Sequence, residues 1–167
     1  NSHINWIPKS TGDKRFSNWL SSANDWNLSR SRYWGIPLPI WRTIDKSETK
    51  VIGSVKELKN EIELSLKNRH MNSDPLEGFE IENMSNENYD KIDLHKDTAD
   101  KIILSSPKGK PMYREKDLID VWFDSGAMPY AQVHYPFENK DFIDKKKLFP
   151  ADYIAEGVDQ TRGWFYT

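Results

Sequence analysis

Residues 35–39 read Gly-Ile-Pro-Leu-Pro, and no other stretch restricts the folding of this chain more tightly. Gly35 breaks a helix arriving from the N-terminal side, and Pro37 and Pro39 lack the amide hydrogens that an interior strand must donate. With Ile36, Leu38 and Ile40 alternating between them, the segment must be extended backbone or an edge strand. Upstream, Asp13 can cap a helix in which Phe16, Leu20 and Ala23 share a stripe, with Trp19 and Trp26 beside it. Downstream, residues 42–53 are polar and predict a hairpin-like excursion. Ser54 and Glu57 then form a Ser-x-x-Glu capping box ahead of Val55, Leu58, Ile62 and Leu66, which predicts a helix over about residues 55–68.

The rest of the chain is less periodic. Residues 70–92 are rich in Asn and Glu and read as a loop or weakly packed insertion. Residues 100–106 suggest a short strand, and 110–117 a loop. A second compact unit is expected from Leu118: Asp120–Phe123 alternates as a strand would, and the following Asp-Ser-Gly is turn chemistry. A further strand is expected over Asp152–Ala155, then a glycine turn and a closing helix. That order suits the second half of a parallel α/β sheet.

Charge and composition narrow the function classes. With 24 basic and 26 acidic residues the net charge is -2, so there is no chain-wide basic footprint for nucleic acid. The chain has no cysteine, which excludes disulfides and thiolate zinc sites and fits a cytoplasmic protein. No apolar run reaches the ~20 residues of a membrane helix. The opening Asn-Ser-His-Ile has no initiator Met, pointing to a start partway into a longer protein.

Four places could carry chemistry. At the expected strand end, Glu156 and Asp159 can accept hydrogen bonds from ribose hydroxyls or an ammonium group, and Gln160 can donate and accept. Gly157 lets backbone approach a ligand, and such sites lie at the carboxyl ends of strands in open α/β sheets. Asp159 could equally be a plain N-cap with Arg162 as its partner. Trp122 and Trp164 could wall a pocket for an aliphatic side chain, or simply pack in a core. Arg30 and Arg32, beside Tyr33 and Trp34, could contact phosphate or sit in a solvated turn with the guanidinium stacked on an aromatic ring. Asp93, His95 and Asp97 imitate a metal site on a strand face but lack a fourth ligand nearby. Lys145–Lys147 reads as solvated surface.

Three blocks in order, "NWLSSANDWNLSRSRYWGIPLPIW", "DVWFDSGAMPYAQVHYPFEN" and "FPADYIAEGVDQTRGWFYT", resemble class I aminoacyl-tRNA synthetases, and among them the isoleucyl branch. Residues 43–90 and 98–116 match only loosely. The resemblance implies an α/β fold: part of the class I nucleotide-binding, Rossmann-like domain with an irregular α+β connective segment. On this basis residues 1–49 would be the exit of the editing insertion and connective segment. Residues 50–117 would be an α+β insertion, and 118–167 the second-half strands and helix of the catalytic domain.

The resemblance also assigns roles. Glu156 would contact the aminoacyl-adenylate, Gly157, Asp159 and Gln160 would hold its ribose and α-amino group, and Trp122 and Trp164 would line the isoleucine side-chain pocket. ATP, Mg, L-isoleucine and tRNA(Ile) would be the partners of the parent ligase in protein biosynthesis, in the cytoplasm and away from membranes. Many relatives carry zinc-binding cysteines after the proline segment; residues 41–53 carry none, so zinc is not expected there. The His-x-Gly-His and Lys-Met-Ser-Lys-Ser motifs that steady the triphosphate are absent, as are the editing and anticodon modules. An internal fragment is therefore expected, inactive alone and prone to non-physiological self-association through an uncovered sheet edge. An RNA-binding module and a ligand-free scaffold are the alternatives.

Overall fold

The computed structural model describes all residues from Asn1 to Thr167. In chain order it contains a π-helical turn, Thr11–Phe16, continuing as α1 (Ser17–Ser21), then β1 (Ser29–Arg30), β2 (Ile40–Thr43), β3 (Thr49–Val51) and α2 (Val55–Lys67). There follow α3 (Asn86–Tyr89), α4 (Lys96–Ala99), β4 (Ile103–Ser105), β5 (Pro111–Arg114), β6 (Leu118–Ile119), α5 (Val121–Gly126), α6 (Met128–Ala131), α7 (Lys140–Asp144) and a 3-10 turn, Val158–Arg162. Two compact units result: Ser29–Ile119, and a second made of Asn1–Leu28 with Asp120–Thr167.

The Ser29–Ile119 unit is built on a four-stranded antiparallel sheet in the order β3-β2-β5-β4. Trp41 stands opposite Lys50 on one side and Arg114 on the other, and Met112 opposite Thr43 and Leu104. Alternation along β2 and β5 sends Trp41, Thr43, Met112 and Arg114 to the buried face. The amphipathic α2 covers that face with Leu58 and Ile62, forming a core with Trp41, Ile52, Leu76, Phe79, Ile102 and Leu104. Its N-terminus is capped as its sequence predicts: Ser54 Oγ accepts the Glu57 N–H at 3.1 Å. The Glu57 carboxylate reaches back one residue further than a standard box, to the Gly53 N–H at 2.8 Å.

The hairpin-like excursion is the β2–β3 hairpin. At its tip Asp45 accepts hydrogen bonds from Lys110 (2.7 Å), the Thr43 hydroxyl (2.6 Å) and the Ser47 hydroxyl (2.7 Å). Lys110 first, then Thr43 and Ser47, hold the Asp45 carboxyl far below the usual carboxylate range. The Gly35–Pro39 stretch is extended, as required; it adjoins the small β1–β6 ribbon through a bridge between Pro37 and Leu118.

One expectation for this unit fails and another holds only in part. Residues 110–117 contain β5, an interior strand, where a loop was expected. Pro111 is tolerated because it is the first residue of the strand. Residues 70–92 are irregular yet well packed, since Leu76 and Asn88 are almost fully buried. The Asn88 side chain accepts from Glu80 N–H at 2.9 Å and donates to the Glu80 and Asn83 carbonyls at 2.9 and 2.7 Å. One amide thus replaces the ladder that a polar segment cannot build for itself.

The Asn1–Leu28 and Asp120–Thr167 unit contains helical turns and no strand. Asp120 caps α5 by accepting the Trp122 N–H at 2.8 Å, so Asp120–Phe123 begins a helix rather than a strand. A four-residue alternation is too short to distinguish the two, and the capping carboxylate decides. Residues 152–155 are exposed and unpaired, because nothing in this unit offers them a ladder. Asp13 lies inside the π-helical turn and caps nothing. Helical backbone begins just after Pro8, whose carbonyl accepts the Thr11 N–H at 3.0 Å. Trp26 lies beyond α1, and its indole N–H points to the buried Asp120 carboxylate at 3.4 Å. Every strand pairing in the chain is antiparallel, in a mixed α/β molecule.

Arg114 is the buried charge of the sheet unit, with a side chain 1% exposed. Its guanidinium donates to one oxygen of Asp100, Oδ1, from Nε at 2.7 Å and from Nη2, and donates from Nη1 to the Asp117 and Leu38 carbonyls at 3.1 and 3.4 Å. Removing one member of such a pair leaves an uncompensated charge, a cost of about 3–5 kcal/mol. Asp100→Ala should therefore lower the denaturant-unfolding free energy by that amount. Glu82→Gln, which removes the exposed Lys56 pair, should leave the midpoint in place.

Candidate functional site

The closing stretch departs from an exposed extended segment, turns at Gly157 and runs through the Val158–Arg162 3-10 turn to Thr167. Gly157 leaves the room that the Asp159 side chain fills: a Cβ there would lie 2.4 Å from Asp159 Oδ1. Asp159 is not an N-cap, and no side-chain cap is made at this end. Its carboxylate folds back over Gly157 and accepts the Gln160 Nε2 hydrogen at 3.1 Å. The other end of the Gln160 amide accepts the Trp164 N–H at 3.0 Å. Gln160 therefore joins Asp159 to Trp164. Glu156 is exposed and its carboxylate has no protein partner.

The two tryptophans reach this turn from separate segments. The six-membered edge of Trp122 lies over Gly163, where a Cβ would meet Cη2 at 3.2 Å and Gln160 Oε1 at 2.7 Å. The Trp164 indole N–H donates to the Ser125 carbonyl of α5 at 3.1 Å. Glu156, Gly157, Asp159, Gln160, Trp122 and Trp164 thus belong to one compact unit, and α5 and the closing turn interlock around Gly163. Trp122 is 42% exposed, so half of an indole is presented to whatever lies beyond it. The arrangement offers two exposed carboxylates, an amide and apolar ring surface: acceptors for hydroxyl or ammonium donors, next to a wall for an aliphatic group.

Sequence reasoning missed the supports behind this turn. Thr161 is fully buried, and its hydroxyl accepts the Arg15 Nε hydrogen at 3.1 Å while donating to the Val158 carbonyl at 2.7 Å. Arg162, expected beside Asp159, instead lays its guanidinium over Trp19 at 3.9 Å. No local pattern signals a pairing across 146 residues.

The other candidates lie in the Ser29–Ile119 unit. Arg30 Nη1 donates to the Ser29 carbonyl at 2.8 Å, and Arg32 Nη2 to the Ile119 carbonyl at 2.8 Å. Arg32 folds over Gly35, whose φ of 137° suits glycine alone. Tyr33 and Trp34 meet edge to face at 4.9 Å. Asp93, His95 and Asp97 do not share a strand face: Asp93 accepts from His95 Nδ1 at 2.7 Å, and Asp97 from the Tyr33 hydroxyl at 3.0 Å. That contact with Asp97 pushes the Tyr33 phenol up from its usual range. Lys145–Lys147 is exposed.

Because Gly163 is enclosed, Gly163→Ala should displace Gln160 or Trp122 and cost about 1–3 kcal/mol in overpacking. A lowered urea midpoint with a changed near-ultraviolet tryptophan signal is the expected result.

Residues 1–167 match the family of class I tRNA synthetases (I, L, M and V) along their whole length. The chain is 64% identical over 169 residues to an isoleucine–tRNA ligase of Bacteroides fragilis, covering all of this chain and 15% of that protein. It is 62% identical over 167 residues to the isoleucine–tRNA ligase of Porphyromonas gingivalis, again all of this chain and 15% of the relative. It is 46% identical over 164 residues to the cytoplasmic isoleucine–tRNA ligase of Mus musculus, 97% of this chain and 11% of that protein. The chain spans about a seventh of the length of these two bacterial relatives. With Glu156, Gly157, Asp159 and Gln160 on one turn, two tryptophans against it and a family match from first residue to last, the chain belongs to the class I tRNA synthetases.

Proposed function

We propose that the chain supplies the amino-acid side of the active site of an isoleucine–tRNA ligase, which activates L-isoleucine with ATP and transfers it to tRNA(Ile). The observation that carries this reading is the interlock of the 156–164 turn with α5 around Gly163, which joins acceptors to ring surface. In this reading Glu156 takes a contact to the isoleucyl-adenylate. Gly157 brings backbone close to the same ligand. Asp159 and Gln160 accept from its ribose hydroxyls and α-ammonium group, and their mutual hydrogen bond presets both side chains. Trp122 and Trp164 wall the isoleucine side chain. Arg30 and Arg32 serve as contacts to tRNA phosphate. Residues 118–167 belong to the second half of a Rossmann-like nucleotide-binding domain, 50–117 to an α+β insertion and 1–49 to the connective segment.

The chemistry left to these residues is binding and orientation. The reacting atoms are the isoleucine carboxylate and the ATP α-phosphate, and holding the α-ammonium and ribose together aligns them for attack. The one cation of the 156–164 turn, Arg162, is stacked on Trp19, and the chain has neither the His-x-Gly-His nor the Lys-Met-Ser-Lys-Ser motif to steady the departing pyrophosphate, so the chain alone should be inactive. No group of three or more His, Asp and Glu side chains converges in the chain, and magnesium would enter with the ATP phosphates.

The test is a chimera. Placed in the Bacteroides fragilis ligase in exchange for the corresponding 169-residue stretch, the chain should support isoleucine-dependent ATP–pyrophosphate exchange, while the isolated chain should give none. In the chimera Glu156→Ala should lower kcat/KM by about 10- to 100-fold, the loss expected for one hydrogen bond to a charged group. Unchanged exchange in that variant would refute the assignment of Glu156.

A further inference from the structure

The turn that carries Asp159, Gln160 and Trp164 is held from behind by a helix nearly 150 residues away in sequence. Arg15 and Trp19 stand four residues apart across the junction of the π-helical turn and α1, close to the spacing that puts side chains on one helical face. They grip consecutive residues of the closing turn. Arg15 Nε donates to the buried Thr161 hydroxyl at 3.1 Å, and the Trp19 ring receives the Arg162 guanidinium at 3.9 Å. One bond fixes position, and the second contact, one residue on, fixes rotation.

A third contact sits at the far end of the turn. Trp6 packs on Phe16 at 5.2 Å and on Phe165 at 5.7 Å, with its ring directly over Gly12, where a Cβ would lie 2.0 Å from the indole. The segment from Thr161 to Phe165 is thus pinned at both ends on one side. On the other side it meets α5 through Trp122 and the Ser125 carbonyl. Gln160 and Trp164, joined to each other, occupy the space between.

We propose that Arg15 and Trp19 are positioning residues for the amino-acid site: through Thr161 and Arg162 they set where Asp159, Gln160 and Trp164 stand relative to Trp122. This deepens the ligase reading and rests on it. The Thr161 hydroxyl is the joint on which the brace turns. Buried and used as both donor and acceptor, it has no water to substitute for Arg15. Arg162, by lying on Trp19, is kept away from the Asp159 carboxylate, which stays available to a cationic ligand group.

The experiment uses the same full-length chimera, with KM and kcat for ATP–pyrophosphate exchange measured separately for isoleucine and ATP. Thr161→Val should raise KM for isoleucine by about tenfold, the size of one lost buried hydrogen bond, and Trp19→Ala by roughly 3- to 30-fold, the size of a lost cation–π contact, each with KM for ATP within twofold. Thr161→Ser and Trp19→Phe, which keep the hydroxyl and the ring, should restore the parental value. Glu156→Ala in the same background separates the two ideas. If Glu156→Ala is silent, the ligase site itself is misassigned. If it is damaging while Thr161→Val and Trp19→Ala leave the isoleucine KM unchanged, the brace alone is refuted. Equal rises in both KM values, or a fall in kcat tracking lost folded enzyme, would likewise overturn a positioning role.

Discussion

Gly163 has no side chain, and the space this leaves is where the closing turn and α5 meet. The edge of Trp122 occupies it from one side and the Gln160 carbonyl from the other. Everything about the candidate site follows from that contact. With Gln160 seated against Gly163, its oxygen lines up with the Trp164 amide and its nitrogen with the Asp159 carboxylate. With Trp164 turned towards α5, its indole finds the Ser125 carbonyl, and the two tryptophans come to serve one region. The acceptors remain exposed because their own donors are spent locally or point elsewhere. The candidate site is built without a sheet rim, from a 3-10 turn packed on a short capped helix.

The other unit solves a different problem. In its proline-rich entry Pro37 and Pro39 cannot donate to a ladder, Leu38 N–H reaches the Asp117 carbonyl at 3.3 Å, and the carbonyls accept. Ile36 takes the Ile119 N–H at 2.8 Å, Pro39 takes the Ile52 N–H at 2.9 Å, and Leu38 takes the buried Arg114. A cation inside a sheet unit requires a full set of acceptors, and Asp100 with three backbone carbonyls provides them. The same guanidinium therefore satisfies its own desolvation cost and adds a fastening to a segment whose prolines leave its ladder incomplete. The amide of Asn88 does comparable service among residues 80–88.

What could be read from the letters divides by range. The α2 cap, the polar hairpin and the extended 35–39 segment were legible because each is decided within a few residues, by a hydroxyl, a turn or a missing N–H. Asp120–Phe123 was misread since alternation over four residues says little, and a capping carboxylate outweighs it. β5 is masked in the letters because its inward face is made by Met112 and a charged Arg114, and an arginine does not announce its own burial. The packed 70–92 segment looked loose because its polar residues satisfy one another and its backbone, and composition cannot show that. The residues proposed for the adenylate and the side-chain pocket were singled out from local chemistry and family likeness. Their supports Arg15, Trp19 and Thr161 carried no local signal.

By itself the amino-acid sequence determined the family, the boundaries of its best-capped helix and the residue types available for binding. It also set residues 35–39 as extended backbone, because Gly35 breaks a helix and Pro37 and Pro39 withhold their donors. Tertiary structure alone decided which of those residues meet: that Trp122 lies on Gly163, that Arg162 turns to Trp19 instead of Asp159, and that Arg114 is buried with Asp100. The reason is the reach of the forces involved. Capping, turn formation and backbone restriction act over a few residues and are written in neighbouring letters. Burial and the pairing of remote donors with acceptors depend on which surfaces the folded chain brings together, and no stretch of sequence records that separately.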